Sequence, residues 1–155
     1  MTLSNNITTI SVMESLAMAV WRKDVIGFTS AASGLDDVIW GLKEMEKGLS
    51  TIVSRLNVRV EELLEVLEDS PSATNAKAEL VRSYVFLMTL YVAYPTTLGL
   101  ILRRTMSQST FSWMQEAVGE ETRANLSSLL TQVSLAPPLS TELWTKEEKP
   151  RPSGW

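Results

Sequence analysis

The clearest pattern in the chain is a run of apolar residues that recur at alternating spacings of three and four, interrupted only at Arg59. An average spacing of 3.5 residues keeps one stripe of side chains facing a partner helix along its whole length. The pattern predicts one helix over residues 35–68, roughly 50 Å long at a rise of 1.5 Å per residue. Such a helix needs a partner of similar length. The predicted stripe consists of Leu35, Val38, Leu42, Met45, Leu49, Ile52, Leu56, Leu63 and Val66.

The partner helix is predicted on the far side of a polar turn at residues 69–75. The first helix has to stop before Pro71, because the residue preceding a proline is disfavoured in helical conformation. Ser72 or Thr74 can then cap a second helix that begins at about Ala76. The two helices together form a long antiparallel hairpin.

The returning helix contains an uncharged stretch, residues 83–102, that is long enough to span a bilayer and is flanked by Arg82 and Arg103. It also contains one Ser, three Thr and three Tyr, and the stripe on the preceding helix would go unburied if it entered a membrane. The sequence therefore favours burial in a helical bundle. A membrane-anchored hairpin with a single span at 83–102 stays open as an alternative. Pro95 and Gly99 are expected to bend this helix.

The segments on either side of the hairpin are also helical in pattern. Apolar residues within 7–20 predict a helix that ends near residues 22–24, and the small, polar residues 27–34 suit a connection or the first turn of the next helix. After a possible break near residues 105–109, a helix continues to Gly119. A last amphipathic helix over residues 120–133 is stopped by Pro137 and Pro138. Residues 139–155 show no helical period and predict an extended arm or tail.

No segment alternates as a strand would, so the fold class is all-α. We divide the chain into an assembly domain at residues 1–143, with the hairpin at about 30–118 and the last helix at about 120–134, and an extended tail at 144–155. The length of 155 residues, 45% of them hydrophobic, suits one compact domain.

Composition restricts the chemistry available to the chain. It contains no Cys and no His, which removes thiol nucleophiles, disulfides, imidazole metal ligands and His-dependent catalytic triads together. The carboxylates are scattered along amphipathic segments and form no close pair. We therefore expect no enzyme activity, no catalytic residue, no cofactor and no metal site.

A net charge of −4 argues against nucleic-acid binding through a basic patch. The polar first ten residues predict no secretory signal.

A two-helix hairpin lacks an enclosed core, and pairing with a second copy in a symmetric dimer would supply one. Trp21, Trp40 and Trp113 are interpreted as core or interface anchors, and Trp144 as a contact between subunits. The predicted dimer interface consists of Leu35, Val38, Leu42, Met45, Leu49, Ile52, Leu56, Leu63, Tyr84, Met88 and Tyr91.

The chain contains Trp40-Gly41, then two paired motifs at residues 67–71 and 80–85, then a motif at 119–122 followed by Pro137-Pro138. In this order the motifs resemble the core (capsid) protein of hepatitis B-like viruses. The distance of the chain from the mammalian viruses suggests their non-enveloped fish relatives, the nackednaviruses. Leu-Glu-Asp-Ser-Pro at residues 67–71, with Leu-Val-Arg-Ser-Tyr-Val at 80–85, is similar to the spike-tip turn and the start of the returning helix. Gly-Glu-Glu-Thr at 119–122, followed by a helix and the pair Pro137-Pro138, is similar to the family's fifth helix. Trp40-Gly41 resembles a Trp-Gly in the corresponding long helix. The match spans residues 40–138.

The resemblance implies a homodimer with a four-helix spike, and an icosahedral shell of many dimers enclosing the viral genome. It places the protein in the virion, and in the host cytoplasm during assembly. The resemblance implies that nucleic acid is bound through an Arg-rich tail that this sequence lacks. No small-molecule substrate is expected. A cytosolic helical dimerisation adaptor is a further alternative for the function. The family's aromatic and basic residues near the contact between dimers are replaced by residues such as Ser134, Leu135, Ala136 and Ser140. The implied contact between dimers consists of Leu126, Leu130, Val133, Pro137 and Pro138, with Trp144 added from the sequence.

Overall fold

A computed structural model describes residues 2–40, 45–133 and 139–145, with side chains described for 11–35, 47–132 and 139–145. Every regular element in these ranges is a helix, which confirms the all-α class. The helices are α1 (Thr2–Arg22), α2 (Val25–Trp40), α3 (Met45–Asp69), α4 (Thr74–Ala93), α5 (Pro95–Thr105), α6 (Gln108–Val118), α7 (Glu120–Val133) and α8 (Glu142–Thr145).

The first two helices form a closely packed pair. α1 ends at Arg22, as the sequence predicts, and Lys23 turns the chain with a positive φ of 54°. The Asp24 carboxylate then accepts a hydrogen bond of 3.0 Å from the backbone N–H of Gly27. This is an N-cap interaction, so α2 already begins at Val25 and includes residues 27–34. α2 packs against α1, and its Leu35 is buried.

The apolar stripe on α3 has the expected period but a partly different membership. Leu49, Leu56 and Leu63 are buried as predicted, and Val53 and Val60 are fully buried between them. Ile52 is only partly buried and Val66 is 46% exposed. Residues 41–44, across which the sequence predicts a continuous helix, lie outside the described residues.

Arg59 does not interrupt the buried face of α3, because the next residue, Val60, supplies the buried side chain at this turn of the helix. The Arg59 side chain lies at the surface and donates to the Glu79 carboxylate on α4, with one N–O distance of 3.1 Å, and to Glu62 at 2.9 Å. These hydrogen bonds to two carboxylates raise the pKa of the Arg59 guanidinium further above its usual range. The ion pair ties α3 to α4 across the turn that joins them.

That turn lies at residues 70–73, as the sequence predicts. Its capping was predicted wrongly, since the N-cap of α4 is Ala73 and no side chain caps the helix. Backbone hydrogen bonds hold the turn instead: Ser70 N–H donates to the Val66 carbonyl at 2.8 Å, and Ala73 N–H donates to the Ser70 carbonyl at 3.0 Å.

The uncharged stretch 83–102 is divided at Tyr94, where α4 ends and Pro95 begins α5. Proline lacks an N–H and fits the first position of a helix, which explains the location of the break. α5 continues through Gly99. Residues 83–90 are all buried within the chain. In the part of the chain that the structure describes, no helix is both long enough and apolar enough to cross a membrane.

The helices α6 and α7 pack against α4 and cover the core there. Ser107 caps α6 by accepting a 3.1 Å hydrogen bond from the Thr110 N–H, and Gly119 ends it with a φ of 93° that favours glycine. α7 follows with the predicted bounds. α6 packs on α3 and α4, while α1 packs on α4 as well. The hairpin of α3 and α4 is therefore covered along part of its length by helices of the same chain.

Candidate self-assembly surfaces

The residues predicted to form the dimer interface lie mainly inside the chain. A side chain buried against its own chain offers no surface to a second copy. The side chains of Val38 and Met45, and the whole of Leu42, lie outside the described part. Ile52 and Tyr91 are partly buried against the core. Residues at most 9% exposed are Leu35, Leu49, Leu56, Leu63, Tyr84 and Met88.

The residues that the resemblance places between dimers follow the same trend. Leu126 is 1% exposed and Leu130 is 6% exposed, both within the core. The side chain of Val133 lies outside the described part, as do Pro137 and Pro138. In the single chain, both leucines therefore pack against residues of the same molecule.

Trp144 contacts its own chain. It lies in α8, a short helix within the segment that the sequence predicts to be an extended arm. Its indole N–H donates a 2.7 Å hydrogen bond to the Met106 carbonyl, and its ring lies 4.9 Å from that of Phe111, measured between centroids. Leu139, just before α8, is 4% exposed. The described part of the arm thus belongs to the folded body, because it supplies an apolar cover for α5 and α6.

We expect Trp144→Phe to lower the free energy of unfolding by about 1 kcal/mol, because the ring contact remains while the Met106 carbonyl loses its donor. Chemical denaturation monitored by circular dichroism measures this. Trp113→Phe is the matched control, since Trp113 is 59% exposed and its replacement should change stability little. Equal effects of the two substitutions would contradict the assigned role of the indole hydrogen bond.

Four large apolar residues that are exposed lie close together in the sequence, at the end of α1 and the start of α2. Met18 is 43% exposed, Trp21 45%, Val25 36% and Ile26 84%. Met18 and Trp21 share a face of α1 because they are three residues apart. We call these four residues the α1–α2 corner. Single exposed apolar residues are ordinary, whereas four large ones within residues 18–26 make this part of the chain a candidate interaction site.

Val25 and Ile26 were not among the predicted site residues. Neither belongs to a long periodic stripe. The local signal for them is a pair of large β-branched residues placed directly after the charged residues Arg22, Lys23 and Asp24. Trp21 and Trp113 are not core residues, so only their role as interface anchors stays a prediction. The Trp40 side chain lies outside the described part.

A cavity of about 330 Å³ lies between α4, α6 and α7. The Tyr84 side chain lines it and is 3% exposed. Burial raises the pKa of the Tyr84 phenol, partly opposed by a hydrogen bond with Gln115 and by the positive charge of Arg123. Within the described ranges, no three acidic side chains are grouped so that they could hold a metal ion.

The described residues thus present exposed apolar side chains and several partly polar cavities, of which the one beside Tyr84 is described above. Neither the exposed apolar side chains nor the cavity beside Tyr84 brings together a nucleophile, a base and a group that would orient them. Comparison with known proteins adds no relative: no protein-family model, no curated protein and no solved structure matches the chain.

Proposed function

We propose that this protein is a structural subunit that self-assembles, and that it is the capsid protein of a virus related to hepatitis B virus. The observation that supports self-assembly is the α1–α2 corner, where four large apolar side chains between 36% and 84% exposed lie within residues 18–26. The capsid assignment rests on the resemblance of the sequence. Water-exposed apolar surface is the main source of free energy for protein association.

The composition of the corner suits a contact between proteins. Trp21 supplies a large aromatic side chain, the residue type most enriched among energetically dominant interface positions. The exposed residues Arg22, Lys23 and Asp24 lie beside it and provide a charged rim around the apolar centre. A second copy that covers the corner would remove this apolar area from water.

The resemblance to hepatitis B-like capsid proteins supports the same proposal through the positions of the helix ends. The turn at 70–73 coincides with the spike-tip motif, and Gly119 with α7 coincides with the fifth-helix motif. In the proposed assembly, the chain pairs with itself and the dimers form an icosahedral shell in the virion. An Arg-rich segment absent from this sequence would bind the viral nucleic acid.

We place the contact between copies at a surface other than the predicted stripe. Leu49, Leu56 and Leu63 of that stripe are buried within the chain, whereas Val66 is 46% exposed. The corner takes its place as the main apolar contact between copies.

Purified protein is expected to form dimers and then closed particles as ionic strength rises. Salt screens repulsion between subunits of net charge −4, and apolar association is not weakened by this screening. Light scattering, sizing chromatography and electron microscopy across a salt series test this. A monomer at every concentration and salt would overturn the proposal of self-assembly. A dimer that never grows further would overturn the capsid assignment and favour the adaptor.

A further inference from the structure

The cavity between α4, α6 and α7 is lined by side chains of two chemical kinds. The apolar ones include Met88 and Val92 of α4 and Leu130 of α7. The polar ones include Tyr84, Gln115 and Arg123. The cavity volume of about 330 Å³ lies at the lower end of the range of small-molecule sites, roughly 300–1,000 Å³.

Arg123 is the feature that indicates a ligand. Its Nε atom is shielded from solvent and has no hydrogen-bond partner among the described residues. A buried donor without a partner costs free energy, and guanidinium groups bind carboxylates in a matched geometry. Turning the guanidinium toward the cavity breaks no hydrogen bond at Nε. An anionic group inside the cavity would therefore gain a charge-assisted hydrogen bond without displacing another acceptor from this atom.

We propose that this cavity binds a small monocarboxylate with an apolar tail, such as a medium-chain fatty acid. The carboxylate accepts hydrogen bonds from Arg123 and from the Tyr84 hydroxyl. The tail lies along Met88, Val92 and Leu130. This site is formed within one chain and differs from the α1–α2 corner, so its occupancy does not depend on self-assembly.

The remaining charged group in the lining is Glu120, which opposes an anionic ligand. Glu120 is the first residue of α7 and is exposed, so solvent and salt screen its charge. Arg123 lies one turn further into the helix and is partly buried. The balance of charge favours a ligand with a single negative charge placed beside Arg123, and a neutral ligand gains only an uncharged hydrogen bond there.

Titration of the full chain with octanoate, followed by calorimetry and by the 13C shift of a labelled carboxyl group, tests the proposal. We expect saturable binding at one site per chain. Arg123→Gln should weaken octanoate binding by about tenfold or more, the effect of losing a charge-assisted hydrogen bond. The matched control is Arg104→Gln, an exposed arginine outside the cavity lining, which should leave binding unchanged.

Two further measurements test whether binding requires the negative charge of the ligand and the open cavity. Octan-1-ol, which has the same tail without the charge, should bind more weakly than octanoate and should respond little to Arg123→Gln. Ala124→Trp, a substitution at an exposed lining position, should block both molecules by closing the cavity. Equal binding of octanoate and octanol, equal effects of Arg123→Gln and Arg104→Gln, or no saturable octanoate binding would each overturn the proposal. Particle formation in the same samples reports separately on self-assembly.

Discussion

The double variant Trp21→Ser, Ile26→Asp should retain its helices and lose the ability to form particles. The Ile26 side chain is 84% exposed and that of Trp21 45% exposed in the single chain, so their replacement costs the fold little. Truncating a central aromatic anchor commonly costs about 2 kcal/mol or more of binding free energy, close to thirtyfold in affinity. An aspartate at position 26 adds a charge that a second copy would have to bury without a partner.

The matched control for this variant is Val58→Asp on α3. Val58 is 56% exposed and lies far from the corner in sequence, so the control introduces the same charge at a comparable apolar surface position. Circular dichroism reports the fold, and light scattering reports assembly. We expect normal particles from Val58→Asp. Loss of particles in both variants, or in neither, would show that the corner is not the main contact between copies.

Leu130→Asp should destabilise the single chain severely. The Leu130 side chain is 6% exposed, so the substitution removes a core side chain and places a carboxylate in an apolar wall. Removing a buried leucine costs about 2–5 kcal/mol, and the buried charge adds to this cost. Because domains are stable by only about 5–15 kcal/mol, we expect a large fall in the midpoint of thermal unfolding.

Ser127→Asp is the control for this substitution, because Ser127 is exposed on α7 one turn before Leu130. It should unfold near the temperature of the unmodified chain. The resemblance to the capsid family implies a different result, in which Leu130→Asp keeps a folded dimer and blocks only the shell. Thermal unfolding with sizing separates the two. A stable dimer of Leu130→Asp that forms no particles would place Leu130 between copies and overturn its assignment to the core.

Helix positions were the part of the fold most accessible from the sequence. The turn at 70–73, the end at Gly119 and the extent of α7 follow from local rules for proline, glycine and capping. At Pro95 the sequence predicts a bend, and the structure has the end of one helix and the start of the next. Such rules depend on neighbouring residues only. The assignment of Ser72 or Thr74 as a cap failed because backbone hydrogen bonds held the turn without a side chain.

The membership of the α3 stripe was harder to predict for a physical reason. Leu49, Leu56 and Leu63 can be joined into a stripe in two ways that both have spacings of three and four. One stripe also contains Ile52 and Val66, and the other contains Val53 and Val60. The choice depends on the direction from which other helices approach. Their approach placed Val53 and Val60 inside and left Arg59 at the surface to pair with Glu79.

The sequence by itself determined the helical class, the ends of most helices and the absence of Cys and His chemistry, since these depend on composition and on local backbone preferences. Only the tertiary structure decided which apolar residues face the core and which face water. The packing of α1 and α6 against α4 buries Tyr84 and Met88, whereas Trp21 and Ile26 are left exposed. Burial depends on residues that are distant in the chain, and a stripe of apolar residues carries no information about whether its partner belongs to the same molecule or to another.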